Sequence, residues 1–279
     1  MAERAPDDAA VIEPARGTPE VRRRHAANRA AWDQAAVRYT EDLPAAVERL
    51  RAGRSSVHPV ERAALGDLAP WCRRAVHLQC ASGEDTLSLL AEGAGEVVGV
   101  DISAAHVANA RAAAAALGAP AVFHACDVLD TPRELDGTAD LVYTGRGALC
   151  WLHDLDGWAA VVARLLRPGG LLSVFDNHPA ASLFDREPAH PRYSGIDYFA
   201  HAESNAGWSA EYIGALAEEP AVKYERLWTI GQVVQALLDA GLTLTRLAEL
   251  PDAYWAEFPN MPEALRRRLP STFLLHARR

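Results

Sequence analysis

Downstream of about residue 71, short apolar runs alternate with longer amphipathic stretches, and this rhythm predicts a layered α/β unit. Ala75–Cys80, Glu96–Asp101, Ala121–Ala125, Ala139–Thr144 and Leu171–Asp176 are short apolar runs with the length of buried strands. Helical stretches lie between them. Glu84–Glu92 is closed by Gly93, and Ala104–Leu117 is capped by Ser103 and closed by Gly118. Leu155 to Leu166 ends at Arg167-Pro168-Gly169-Gly170. Strands that alternate with helices predict a parallel sheet with helices on both faces. Thr229-Ile230-Gly231-Gln232 has the spacing of a capping box and opens a helix to Ala240, with Gly241 after it. Leu242–Leu250 and Ser271–Ala277 read as the last two strands.

The flanking segments read differently. Pro19–Tyr39 is a helical stretch, and a second short helix runs from His58-Pro59, with proline at the first helical position, to Gly66. Residues 1–18, rich in Ala, Pro, Asp, Glu and Arg, read as a mobile tail. Residues 177–228 break the rhythm, with more aromatics, His and Pro and little period. The expected organisation is therefore a tail (1–18), a helical segment (19–70) and an α/β domain (71–279) with an insertion at 177–228.

Composition narrows the function. A chain of 279 residues with 49% hydrophobic residues holds one large α/β domain with decoration, or two small ones. A net charge of −9 argues against nucleic acid and against an anionic membrane surface as partners. The basic clusters Arg22–Arg24 and Arg266–Arg268 read as solvated helix faces. No apolar run reaches the roughly 18 residues of a membrane span, and an apolar signal core is missing from the N-terminus. The four cysteines form no Cys-x-x-Cys pair, so no metal site is expected, and they read as reduced thiols of a cytoplasmic protein.

Three strand ends carry candidate chemistry. The loop His77-Leu78-Gln79-Cys80-Ala81-Ser82-Gly83 follows the first strand, where backbone N–H groups can approach a ligand. A dinucleotide site would want G-x-G-x-x-G, and only Gly83 remains; an ordinary strand-to-helix turn is the alternative. Asp101, ending the second strand, can accept two hydrogen bonds from the ribose of an adenosine, or cap the turn that Ser103 also caps. Asp127, in Cys126-Asp127-Val128 after the third strand, can accept from an adenine amino group with Val128 packed on the ring. It can equally be a plain loop carboxylate.

With HLQCASGEDTLSL, VVGVDIS, ADLVYTGRGALCWL, LLRPGG and the late strand pair, the chain resembles the class I S-adenosylmethionine (SAM)-dependent methyltransferases from about Asn28 to the C-terminus. In particular it is similar to a bacterial subgroup whose first motif reads H-L-Q-C. His77 stands where many relatives have an acid, and Gln79 and Ala81 stand in for glycines. The resemblance implies a Rossmann-like, seven-stranded, mostly parallel sheet of order 3-2-1-4-5-7-6 with the seventh strand antiparallel. It also implies an N-terminal helical lid and an inserted substrate cap. SAM is the implied cofactor, held by Gln79, Cys80, Ala81 and Gly83, by Asp101 and Ile102, and by Asp127 and Val128. Thr144 and Gly145 would lie under the sulfonium, and Trp32 and Tyr39 would close from the lid, unless those two rings are only core contacts of an amphipathic helix.

Ligands of open α/β sheets sit at the carboxyl ends of the strands, which points to Tyr143–Trp151, His153 and Asp176–His178 as neighbours of the reacting atoms. His178, with Asp176 nearby, is the first choice of general base and His153 the second; capping or surface roles are the alternative for each. Arg146, Trp151, Tyr193, Tyr198 and Trp208 are the expected substrate contacts, with Phe184, Phe199 and Tyr212 also in the cap unless these aromatics form only a mini-core. The expected activity is methyl transfer to an oxygen or nitrogen of a small molecule, a bacterial secondary metabolite, by a monomer or homodimer. A SAM-binding protein without catalysis and an NAD-dependent oxidoreductase are the rival readings.

Overall fold

The computed structural model describes residues 10–208, 212 and 219–279. In chain order the elements are β1 (Ala10–Val11), α1 (Thr18–Arg51), α2 (Pro59–Leu65), β2 (Arg74–Leu78), α3 (Glu84–Ala91), β3 (Glu96–Asp101), α4 (Ala104–Leu117), β4 (Ala121–Ala125) and β5 (Ala139–Gly145). They continue with α5 (Leu155–Leu165), β6 (Leu166–Asn177), β7 (Ala202–Ala206), β8 (Val222–Arg226), α6 (Ile230–Asp239), β9 (Thr243–Leu250), α7 (Glu263–Arg266) and β10 (Thr272–Arg278). Seven strands form one sheet in the order β4-β3-β2-β5-β6-β10-β9, which is the 3-2-1-4-5-7-6 order expected. β10 runs antiparallel to both of its neighbours, and β2 to β6 are mutually parallel.

Period-2 alternation sorts each strand between two cores. On one face Val76, Leu78, Val98, Val100, Val142 and Val174 pack under α5 and α6, around Trp158, Val162 and Leu237. On the other face Ala75, Val97, Leu141 and Tyr143 pack with Leu65, Leu68 and Leu89. The 103–106 capping bond (Ser103 Oγ accepting from His106 N) and the Thr229–Gln232 capping box start α4 and α6 as expected.

Four boundaries differ from expectation. α1 continues past Tyr39 to Arg51, through Pro44. Proline removes one helical hydrogen bond, but Leu43, Val47 and Leu50 pack against α4, and that burial carries the helix through. β6 begins at Leu166 rather than Leu171: the residue before a proline favours extended backbone, so Leu166-Arg167 enters the sheet beside Ala139, with a register shift before Leu171. The 177–228 insertion holds two strands, β7 and β8, that pair antiparallel. β1 completes a three-stranded sheet β1-β7-β8, so residues 10 and 11 are paired backbone inside the segment expected as a tail. Residues 1–9 of that segment, and 209–211 and 213–218 of the insertion, lie outside the described residues.

Helix α1 is stitched to this small sheet. The Asn28 carboxamide accepts from Tyr224 N (2.7 Å) and donates to Tyr224 O (2.9 Å). Gln34 repeats the pattern, accepting from Ala221 N (2.9 Å) and donating to Glu219 O (2.8 Å). Trp208 Nε1 donates to Ala31 O (3.0 Å). The N-terminal helix and the insertion are therefore one body. Among the described residues no helix is long and apolar enough to cross a membrane.

Candidate active site

The loops after β2, β3, β4 and β5 open on one edge of the sheet, and α1 crosses above them. Between them lies a cavity of about 280 Å³. The loop after β2 makes its floor. Gln79 and Ala81 adopt left-handed backbone (φ 60° and 45°), and Gly83 (φ 79°) starts α3. Left-handed backbone costs a side-chain-bearing residue about 1 kcal/mol, so this chain keeps the path of a glycine-rich loop without two of its glycines. Asp101 fixes the loop: one carboxylate oxygen accepts from Ala81 N (2.7 Å), the other from Ser103 N (2.9 Å). It lines the cavity at 9% exposure, and burial pushes its carboxyl up to about 6. An ionised carboxylate has about four acceptor sites, so Asp101 can still take hydroxyl donors.

His77 brings no charge to the site. It is buried, its Nδ1 lies 2.8 Å from Thr86 Oγ1, and burial brings its imidazole down to about 3. The free acceptor nearby belongs to Gln79. That residue lines the cavity, its Nε2 donates to Ala148 O (2.7 Å), and its Oε1 is buried and without a partner. Cys80 and Ile102 also line the cavity.

Asp127 and Val128 line the opposite end. Asp127 is already well occupied: Oδ1 accepts from Leu129 N (3.0 Å), and Oδ2 meets His25 Nδ1 (2.8 Å) and Arg22 Nη1 (2.9 Å). Burial opposes the charge of Asp127, but the bond from His25 and the charge of Arg22 hold the carboxyl below its ordinary value. His25 Nε2 accepts from His153 N (3.1 Å), so its proton sits on Nδ1 and both ring nitrogens are used.

After β5, Thr144 is buried with its hydroxyl unpartnered and lies off the cavity, while Gly145 lines it. Gly145 has φ 147°, and a Cβ there would sit 2.0 Å from Phe175 O. Arg146 lines the cavity too, but its guanidinium pairs with Asp85, donates to Ser56 O (2.9 Å) and lies 3.9 Å from Glu61. Its charge is engaged within the protein rather than free for a substrate.

An aromatic wall closes the cavity on the α1 side. Trp32 meets Trp151 (ring centroids 5.2 Å) and Trp208 (4.4 Å), and Tyr39 Oη lies 2.5 Å from Tyr212 Oη. Trp32, Tyr39, Trp151 and Tyr212 line the cavity, with Trp208 behind them.

The expected base and two substrate residues lie elsewhere. His178 caps the 179–183 turn: Nδ1 accepts from Ala180 N (3.1 Å) and Nε2 faces Glu249 (2.7 Å). It does not line the cavity, because pairing of Asn177 with Thr272 carries the chain off along β10. His153 is buried between His25 and β8, with Nε2 on Tyr224 O (3.2 Å), and burial holds it near about 3. Tyr193 is 64% exposed and tied to Ile196 O (2.7 Å); Tyr198 packs on Phe199. Phe184 joins a small core with Phe258 and Met261. His25, Asn28 and His106 line the cavity without having been expected there. The first two share a helix face with Trp32 by their i, i+3, i+7 spacing, and that spacing is the signal that could have found them.

Residues 75–170 match the family model described as a methyltransferase domain. No protein of curated function matches the chain. Among solved structures, it is similar to an S-adenosylmethionine-dependent methyltransferase from Mesorhizobium loti, at 24% identity and TM-score 0.53, over 79% of this chain and 96% of that one. A putative S-adenosylmethionine-dependent methyltransferase from Listeria monocytogenes gives 17% identity and TM-score 0.52, over 78% and 95%. Geranyl diphosphate C-methyltransferase from Streptomyces coelicolor A3(2), in complex with Mg²⁺, geranyl diphosphate and S-adenosyl-L-homocysteine, gives 18% and 0.55, over 86% and 84%. At these identities the likeness is one of fold.

Proposed function

We propose that the chain is a class I SAM-dependent methyltransferase whose cavity binds SAM; the methyltransferase-domain match over residues 75–170 and the order of the sheet support this reading. We further propose that the methyl group passes to an oxygen or nitrogen of a small molecule seated against the aromatic wall. One observation carries the reading: the loops after four successive parallel strands converge on one cavity that holds a buried carboxylate, an unused amide oxygen and four aromatic rings. Bound SAM supplies an electrophilic methyl on a cationic sulfur. Asp101 would accept from the ribose hydroxyls, and Gln79 Oε1 would accept from the ammonium in place of the acid that position 77 lacks, with Gly145 in the lining of the cavity. Trp32, Tyr39 and Trp151 exclude water.

Since His178 and His153 point elsewhere and His25 uses both nitrogens, none of these three serves as general base, and positioning and desolvation carry the transfer. The cavity's charge speaks to the acceptor. Glu84, Asp85 and Asp127 line it paired with Arg49, Arg146 and Arg22, and Asp101 lines it with only backbone N–H partners, so the described lining offers a phosphate no unpaired arginine. This balance favours a neutral or cationic acceptor over a diphosphate. The test is formation of S-adenosylhomocysteine from SAM with panels of phenols, amines and prenyl diphosphates. Turnover of phenols or amines supports the reading. Turnover of a diphosphate alone overturns the acceptor class, and binding of SAM without turnover of any acceptor favours a non-catalytic protein.

A further inference from the structure

His106 stands in the first turn of α4, one turn after Asp101, and lines the cavity at 1% exposure. Its Nδ1 lies 2.7 Å from Ser82 Oγ. Trp32 and Tyr39 pack edge-on against the ring, with centroids 5.6 and 4.8 Å away. Its Nε2 is buried and has no hydrogen-bond partner. A buried polar atom left unpaired costs about 1–3 kcal/mol, and a neighbouring ligand relieves that cost. Burial brings the imidazole down to about 4, so the ring is neutral at pH 7 and can donate or accept at Nε2. His106 and Asp101 flank the same stretch of chain: Asp101 holds Ala81 N, and His106 holds the adjacent Ser82. A group resting on that stretch meets both side chains.

We propose that His106 is a ligand-binding residue whose Nε2 hydrogen-bonds a ribose hydroxyl of the bound nucleoside, alongside Asp101. The inference rests on the reading of the cavity as a SAM site. Trp32 and Tyr39 pack edge-on against His106, so this nitrogen is a polar atom set among aromatic rings. It selects for a hydroxylated sugar.

The test is calorimetric titration of the full chain with S-adenosylhomocysteine and with its 2′-deoxy and 3′-deoxy forms. His106→Asn keeps an atom for Ser82 and loses Nε2; His106→Gln keeps a polar atom within reach of the Nε2 position. His106→Asn should bind S-adenosylhomocysteine about 5- to 10-fold more weakly, the loss of one hydrogen bond, and His106→Gln should recover most of that. The Asn defect should vanish for one of the two deoxy ligands. The ¹⁵N resonance of His106 Nε2 should also shift on saturation of the wild type. Wild-type affinity in His106→Asn, equal defects in Asn and Gln, a defect that persists with both deoxy ligands, or an unmoved Nε2 resonance each overturns the proposal. A wild type that does not bind S-adenosylhomocysteine overturns the SAM reading instead.

Discussion

Adding one methyl group at Gly145 should damage both stability and cofactor binding. A Cβ on Gly145 would lie 2.0 Å from Phe175 O, 2.7 Å from its carbonyl carbon and 2.9 Å from its nitrogen. These are backbone atoms of the adjacent strand, paired with Gly145 in the β5–β6 ladder, and cannot rotate away. Overpacking of this kind costs about 1–3 kcal/mol, and the φ of 147° adds roughly 1 kcal/mol for any side chain. The total of about 2–4 kcal/mol corresponds to roughly 3–7 °C in Tm for a chain of this size. Gly118→Ala is the control: it has φ 61° and open space around the new Cβ, so only the backbone cost of about 1 kcal/mol applies. Thermal unfolding of both variants separates the steric from the conformational part, and titration with S-adenosylhomocysteine shows whether the Gly145–Gly147 loop has moved. Equal Tm for the two variants would refute the close approach of β5 and β6 at this point.

Burial brings His77 and His153 down to about 3 and His106 and His276 to about 4, against about 6.5 unfolded. The folded chain therefore binds fewer protons in that interval, so their stabilising contribution is complete above about 6.5 and is lost as pH falls toward 4. Asp101 and Glu257, pushed up by burial to about 6 and about 7, and Glu61 and Asp176, raised by the same cause, act in the opposite direction, whereas the lowered His58, Glu20, Glu92 and Asp127 act with the four rings and outweigh them in number. Tm should fall between pH 6.5 and 4.5, and a Tm that rises there contradicts the burial of these rings. His178→Ala should cost about 0.5–2 kcal/mol as a lost cap, with turnover within about threefold of wild type; a loss of about 10²-fold would restore it as a general base. Asn28→Leu leaves Tyr224 N–H without its partner and Tyr224 C=O with His153 alone, and should destabilise by about 1–3 kcal/mol, with faster hydrogen exchange at the Tyr224 amide; unchanged exchange would disprove the stitching of α1 to β8.

The central sheet is legible in the sequence because strands buried on both faces are mostly apolar throughout, so Val97–Val100 and Leu141–Tyr143 stand out as continuous apolar runs. The small sheet is not. Glu203, Ser204, Asn205 and Lys223 give its strands a polar reading, and the burial they receive comes from α1, distant in the chain. The extent of α1 was hidden by Pro44, whose local preference is overridden by packing on α4. In the site, Asp101 is readable because an acid at a strand end has one direction to point. His178 misleads because nearness along the chain does not fix direction: Asp176 turns to the N–H groups of residues 147–149, and His178 turns to Glu249. His106 escapes notice because it lies within a helix turn, and only the crossing of α1 makes that turn part of the wall.

The account stands most directly on calorimetric titration of the full chain with S-adenosylhomocysteine, in parallel with NADH and with Asp101→Ala. It predicts one-to-one binding of S-adenosylhomocysteine and none of NADH. In a folded Asp101→Ala it predicts a loss of about 1.5–3 kcal/mol, the value of hydrogen bonds to a charged acceptor. Binding of NADH in place of S-adenosylhomocysteine, or wild-type affinity in Asp101→Ala, would contradict it.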